Sequence, residues 1–275
     1  MASTPDSDPR PASTERPENP NNHNRPDRPE NPDRPITPVT ALLLPGYSPN
    51  LSWLARAIHA DRVILDDLHP FSRKSKVHRT KIRTPDGHQW LTIPFVREDR
   101  RKPINQVRID DLRPWTGHHL QALEYNYRNS PYFDFYEPEI RADFDTASRC
   151  GFLMDAVRHL MQRQWTYLEF PEFPLWSSDL VHGMDAGTDP SPGTNLYDLV
   201  ADDRTVVWQE PDSRHYQRPH PAAVHNDTAA PVFHSPGYRQ HFPGFVPDCG
   251  LLDLLFEYGP DAWQVLDGLT LKSKT

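Results

Sequence analysis

Val39 to Leu44 reads VTALLL, a short apolar run closed by Pro45-Gly46, which is the pattern of a buried β-strand. Within Asn50 to Ala60, Leu51, Leu54 and Ile58 recur at helical spacing, and Arg62 to Leu65 (RVIL) reads as a second buried strand. A β-α-β unit is therefore expected where the apolar pattern begins. His78 to Arg83 and His88 to Phe95 flank Thr-Pro-Asp-Gly and are expected to pair as a hairpin, because Asp-Gly favours a tight turn. Gln106 to Ile109 is expected to add a further strand.

From Asp111 the period changes. Trp115, His119, Leu123 and Tyr127 recur every four residues and share one helical face, and Pro131 ends that helix. Two more helices are expected between Tyr132 and Trp165, the second with Phe152, Leu153, Val157, Leu160 and Met161 as its apolar face. Residues 171 to 247 are rich in Pro, His and Asp and lack a clear period, which marks a loop region. Gly250 to Tyr258 (GLLDLLFEY) is a strongly apolar helix stopped by Gly259-Pro260, and a short helix carrying Trp263 and Leu266 follows. The expected class is α/β in the mixed α+β sense: a β-α-β unit and a hairpin packed with a helical region.

Composition adds a tail to this picture. Residues 1 to 38 hold no aromatic residue, repeat RPENP at Arg16 to Pro20 and Arg28 to Pro32, and have Met1 and Ile36 as their only large apolar groups. Such a segment cannot bury enough surface to offset its ordering entropy and is expected to be disordered. Residues 39–275 are expected to form one globular domain with a loop-rich insertion around 183–235. No apolar run approaches the roughly 18 residues of a membrane span, no signal peptide opens the chain, and the two cysteines cannot make a disulfide scaffold, so a cytoplasmic protein is expected. Thirty Lys and Arg against 38 Asp and Glu leave a net charge of −8, so no global positive field draws nucleic acid or anionic lipid.

Charge nevertheless concentrates locally. Six Lys or Arg lie between Arg73 and Arg83, with His78 among them. Lys74, Arg79 and Lys81 are candidates to hold a phosphate, Arg79 by a bidentate pair, and a solvated basic edge strand is the bland alternative. Asp66 and Asp67 close the second strand, at the end where open α/β sheets bind ligands; a polar turn is the competing explanation. His119 lies on an apolar stripe, either as a satisfied core histidine or as an acid/base group. Asp253 interrupts an apolar helix and needs a partner or a cleft. The histidines His215, His220 and His225 are spaced by five among prolines, which does not make a metal site, and Cys249 reads as a small buried residue. The common nucleotide-binding, zinc-protease and esterase motifs are absent, and nothing in the sequence names a cofactor.

Taken in order, Pro45 to Leu54, VILDD at Val63 to Asp67, the basic stretch with Arg79, GHQWLTIPF, W-x3-H-L running to SPYFDFY, Ser177-Ser178-Asp179-Leu180, Tyr238-x-Gln240, GFVP and LLDLLFEYGP resemble the WbqC-like family over residues 41 to about 266. The resemblance is to a bacterial group associated with O-antigen and other surface-polysaccharide gene clusters. It implies an aminoacyl- or acyl-type group transfer onto an activated sugar, for which the reading of the residues offers Asp66, Asp67, His119 and Asp253 as catalytic candidates. Lys74, His78, Arg79, Lys81, Tyr127, Asp179 and Gln240 would bind a phosphate-bearing small-molecule substrate. The chain departs from the family pattern at Leu44, where a Gln is usual, at His78, where an Asn precedes the Arg, and at Asp248-Cys249-Gly250, where Asn-Leu-Ser is usual. It also has no counterpart of a Gly-rich block. The alternative expectation is an accessory protein that docks onto a biosynthetic complex through residues 171 to 247, the tail, or the aromatic cluster Tyr132, Phe133, Phe135 and Tyr136.

Overall fold

The computed structural model describes residues 38–170, 172–182, 196, 206–208, 233–234 and 236–271. The expected tail, most of the 183–235 insertion and His215, His220 and His225 lie outside the described residues. Strand β1 (Val39–Leu43) is buried along its whole length, as a run of apolar residues with both faces covered must be. Helix α1 (Leu51–His59) starts at Asn50, whose side chain accepts a hydrogen bond from the Trp53 amide, and leads to β2 (Arg62–Leu65), parallel to β1.

Two further parallel strands complete this sheet in the order β5-β2-β1-β6: β5 (Leu175–Trp176) beside β2, and β6 (Val206–Trp208) beside β1. Both come from the stretch read as loop, which also forms α5 (Ser177–His182) and β7 (Phe233–His234), the latter pairing with β8 (Thr270–Leu271). Strands of two or three residues carry too few positions for a period to register.

Strands β3 (Arg79–Thr84) and β4 (Gly87–Thr92) form the expected hairpin, with Thr84 opposite Gly87 and Pro85-Asp86 as the connecting pair. Gly87 adopts φ 129°, a conformation that favours glycine, so the glycine opens the second strand and the tight turn lies one residue earlier than Asp-Gly implied. Thr80, Ile82 and Leu91 face the core; Arg79, Lys81 and Arg83 share the other face with their partners Thr92, Trp90 and His88.

Gln106 to Ile109 is not a strand. A 3-10 turn occupies Ile104–Gln106, and the following residues make single bridges, Ile109 to Phe95 on one side and Arg108 to Phe152 on the other. The cause is Asp99, wholly buried, whose carboxylate accepts from the Arg108 amide at 3.0 Å and from Arg108 Nε at 2.8 Å, with Lys102 Nζ at 2.6 Å. Hydrogen bonds from Arg108 above all hold that carboxyl well below the usual range. A side chain thus takes the amide that a ladder would need.

Helices α2 (Trp115–Tyr127), α3 (Phe133–Ala147) and α4 (Leu153–Tyr167) form the helical region. Leu153, Val157, Leu160 and Met161 are buried as expected, but Phe152 sits before the first turn of α4 and is 45% exposed. Helix α6 (Leu251–Tyr258) buries its first seven residues, which explains why apolar residues lie on all its sides, with Asp253 and Glu257 as the buried exceptions. Gly259 ends it at φ 51°, where a Cβ would stand 2.5 Å from the Tyr132 ring. Helix α7 (Ala262–Leu266) follows. Of the aromatic cluster offered as an interface, Phe133 and Tyr136 are core residues, so that sequence pattern reports packing. No described helix is long and apolar enough to cross a membrane.

Candidate functional site

The chain leaves β2 into Asp66 and Asp67, at the carboxyl end of the parallel sheet. The Asp66 amide makes the last rung by donating to Leu43 O, and its carboxylate lies 3.5 Å from His69 Nδ1. Asp67 is enclosed: its carboxylate accepts from Ser177 Oγ at 2.7 Å, the Ser178 amide at 2.9 Å and Ser178 Oγ at 2.6 Å. Arg158 Nη2 lies 3.9 Å from Asp67 and 3.5 Å from Asp179, and its guanidinium stacks on Trp176 at 4.4 Å. Hydroxyl and amide donors therefore resolve the repulsion of adjacent carboxylates, and Asp67 ties β2 to the start of α5. The parts played by His69 and Arg158 were missed in the sequence, because contacts across 3 and 91 residues carry no common period; the Ser-Ser-Asp block was the only signal.

The loop that follows β1, Pro45 to Asn50, is entirely buried. Its Tyr47 amide donates to Val77 O, its Tyr47 carbonyl accepts from Gln164 Nε2 at 3.0 Å, and Tyr47 Oη lies 2.9 Å from His119 Nδ1. His119 Nε2 lies 3.2 Å from Thr92 O. A carbonyl only accepts, so Nε2 carries the proton and Nδ1 accepts from Tyr47. Burial lowers the His119 pKa to about 4, and both ring nitrogens are engaged within the fold. His78 is likewise buried, edge-on to Phe71 and Phe95, with Nδ1 making no hydrogen bond; burial, then the neighbouring Arg79 charge, lowers its pKa to about 4.

These two neutral imidazoles give a pH dependence. Unfolded histidine titrates near about 6.5, so between about pH 6.5 and 4 the folded chain binds fewer protons than the unfolded chain, and stability falls as pH is lowered. With both contributing, the slope approaches about 2.7 kcal/mol per pH unit. Urea midpoints measured from pH 7 to 4 should show it, and His78→Asn should remove about half. A flat profile would mean that neither imidazole is excluded from water.

Tyr127, Gln240 and Asp253 meet in one cluster, which Tyr238 joins. Asp253 is wholly buried and accepts from Tyr127 Oη at 2.7 Å, Tyr238 Oη at 2.5 Å and Gln240 Nε2 at 2.9 Å. Burial pushes its carboxyl upward despite those donors. Tyr127 Oη also accepts from the Arg83 amide at 2.8 Å, which links the cluster to β3. Beside it Cys249 is buried and its thiol pushed up to about 12, so it stays protonated as a small core residue.

The outer face of the hairpin is the opposite kind of surface. Arg79 lays its guanidinium 4.5 Å over the Trp90 ring, Lys81 Nζ is 5.8 Å from the same ring, and Arg79 Nη2 donates to Lys74 O. The Nε of Arg79 has no hydrogen-bond partner. Arg83 is consumed internally: it donates to Thr84 O, Gly87 O and Pro243 O, with its guanidinium 5.6 Å from the centre of the Phe242 ring. Among the described residues, none of the six cations from Arg73 to Arg83 forms an ion pair with a carboxylate. Among the described residues, positive charge is gathered here without a carboxylate in ion-pair contact, although Arg83 acts electrostatically on the buried Asp253.

The residues singled out in the sequence thus fall into distinct groups. Asp66, Asp67 and Asp179 mark the sheet end; Tyr127, Gln240 and Asp253 form the closed cage; Lys74, Arg79 and Lys81 belong to the hairpin and the turn before it. His78 lies in the aromatic core beneath, and His119 pairs with Tyr47. No group of described residues has the ligand set of a metal site.

The model of the WbqC-like protein family matches residues 45–265, from the buried loop after β1 into α7. The chain belongs to the WbqC-like protein family. All of the groups above lie within the matched span. The WbqC-like chain is also 26% identical over 234 residues to the uncharacterized protein Rv1507c of Mycobacterium tuberculosis, covering 81% of this chain and 94% of that protein. No solved structure matches it. Two departures of this WbqC-like chain can now be placed: His78 sits in the aromatic pocket behind Arg79, and Gly250 occupies a three-way junction between the opening loop, β3 and α6.

Proposed function

We propose that this WbqC-like chain is a group transferase that holds a phosphate-bearing activated sugar, the acceptor of an aminoacyl or acyl group, on the hairpin cations, in bacterial surface-polysaccharide (O-antigen) biosynthesis. The observation that carries the reading is the set of cations from Arg73 to Arg83 with no carboxylate partner among the described residues, in a chain of net charge −8. Like charges held together cost energy unless an anion joins them, and Arg79 has a buried Nε that no protein acceptor serves. Arg79 and Lys81 would meet the phosphate oxygens, and Lys74 would add charge from the preceding turn.

Aminoacyl or acyl transfer further requires a base that takes the proton of the acceptor amine or hydroxyl as its lone pair attacks the acyl carbon and the leaving group departs with its bonding electrons. Asp66 suits this role better than the other carboxylates. Among the described residues the polar partner of its carboxylate is His69 at 3.5 Å, whereas Asp67 and Asp253 are saturated by internal donors. His119 is spoken for by Tyr47 and Thr92 and is assigned to the scaffold. Consumption of a nucleotide-activated sugar would place the protein in the cytoplasm. For the accessory-protein alternative, Phe133 and Tyr136 of its aromatic cluster are core residues and Phe135 is exposed, while the tail and most of the 183–235 insertion lie outside the described residues.

Calorimetric titration and thermal shift with a panel of nucleotide sugars test the reading. Arg79→Ala should lower affinity at least tenfold, the effect of about 1.4 kcal/mol, with a melting temperature near wild type. His119→Ala should instead lower the melting temperature while leaving binding intact. Unchanged affinity in Arg79→Ala would remove the hairpin from the site.

A further inference from the structure

Trp90 is a large aromatic residue held 38% exposed at the centre of a cationic face. Its position is fixed twice over: it is directly opposite Lys81 in the hairpin register, and the Arg79 guanidinium packs on its ring at 4.5 Å. Cross-strand and diagonal neighbours of this kind immobilise an indole that solvent would otherwise leave mobile. Holding bare phosphate requires cations and N–H groups and gives no use to an exposed ring. Nucleic acid would use a ring, but a strand needs a track of cations over several nucleotides. Here the buried Arg83 is already spent on three carbonyls, which leaves Arg79 and Lys81, each donating to one carbonyl and keeping further N–H groups, flanking one indole on this face.

From these contacts we infer that the outer face of the hairpin binds a nucleoside diphosphate, its phosphates on Arg79 and Lys81 and its planar base stacked with Trp90; the inference rests on the reading of the hairpin as the anion site. The guanidinium already covers part of the indole, and a planar base stacks on the part that remains exposed. His88, whose ring centroid is 6.3 Å from that of Trp90, borders the base. Trp90 is thus the residue that separates nucleotides from simple phosphates, and Arg79 and Lys81 supply affinity common to both.

The experiment is calorimetric titration of the full chain with uridine 5′-diphosphate, inorganic pyrophosphate, glucose 1-phosphate and a single-stranded oligonucleotide, in wild type, Trp90→Ala, Trp90→Phe and Arg79→Ala. The expected result is that the diphosphate binds about tenfold more tightly than pyrophosphate, the size of one base-aromatic stack. Trp90→Ala should erase that difference without weakening pyrophosphate, Trp90→Phe should restore most of it, and Arg79→Ala should weaken both ligands. If pyrophosphate binds and the nucleotide binds no better, or if Trp90→Ala weakens both equally, the base-stacking inference is wrong while the anion site stands. A Trp90-dependent gain for glucose 1-phosphate would make the stacked ring a sugar and overturn it. Tighter binding of the oligonucleotide, with a salt dependence of several charges, would overturn it in favour of nucleic acid. If none of the ligands binds, the anion-site reading falls as well.

Discussion

Gly250→Ala should destabilise the folded chain by about 3 kcal/mol, the upper end for a forced methyl group in a packed site. At this size of chain that corresponds to a melting temperature lower by roughly 10 °C. The backbone of Gly250, φ −69° and ψ 166°, is open to any residue, so the requirement is space. A Cβ there would stand 2.1 Å from Thr80 Oγ1, 2.9 Å from Ser48 Oγ and 3.0 Å from Ser48 O. None of those atoms can move alone. Thr80 Oγ1 donates to Ser48 O, Ser48 Oγ accepts from the Leu252 amide, and the Gly250 amide donates to Lys81 O at 2.8 Å. The added methyl group therefore pushes on the opening loop, on β3 and on the first turn of α6 together. Urea unfolding measures the loss, and Thr80→Ala in the same chain should recover part of it, because the nearest colliding atom is gone. A change below about 0.5 kcal/mol would mean that this junction is loosely packed.

Asp253→Ala should cost about 3 kcal/mol or more, because it leaves Tyr127 Oη and Tyr238 Oη buried without their carboxylate acceptor and takes one of the acceptors of Gln240 Nε2. Its second consequence is local. Gln240 holds Val246 through both its amide groups, Nε2 to the Val246 carbonyl and Oε1 from the Val246 amide, so loss of Asp253 loosens the segment from Tyr238 to Pro247. That segment lies against the hairpin through Arg83 to Pro243 O and Lys81 to Pro247 O. Trypsin should then cut after the exposed Arg239 faster in Asp253→Ala than in wild type under native conditions. Asp253→Asn keeps one oxygen acceptor and should fall between the two. Equal cleavage rates and equal urea midpoints in all three would show that the cage does not tie the segment down.

The elements that were legible in the sequence are those whose burial repeats along the chain. VTALLL and RVIL are apolar at every position because β1 and β2 lie inside a parallel sheet, and the helices from Trp115 onward announce themselves because one face alternates with solvent every three or four residues. Leu251 to Glu257 is continuously buried, and its run of leucines says so directly. Gln106 to Ile109 has the look of a strand and is not one, because the Asp99 carboxylate, nine residues away from Arg108, captures the amide. Strands β5 and β6 were invisible, since two or three residues make no period, yet they set the width of the sheet.

The same division holds for the candidate site. The sequence by itself determined the family, the β-α-β opening, the position of Asp66 and Asp67 at a strand end and the crowding of cations before and within the hairpin, all properties of neighbouring residues. Only the tertiary structure decided what each polar side chain faces. It gave Asp67 its two serines from 110 and 111 residues away, gave Asp253 its tyrosines and His119 its tyrosine, and left the cations around Trp90 without a carboxylate among the described residues. A local pattern reports how often a position is buried, whereas a hydrogen-bond or charge partner is chosen by which distant segments the packed core brings within about 3 Å.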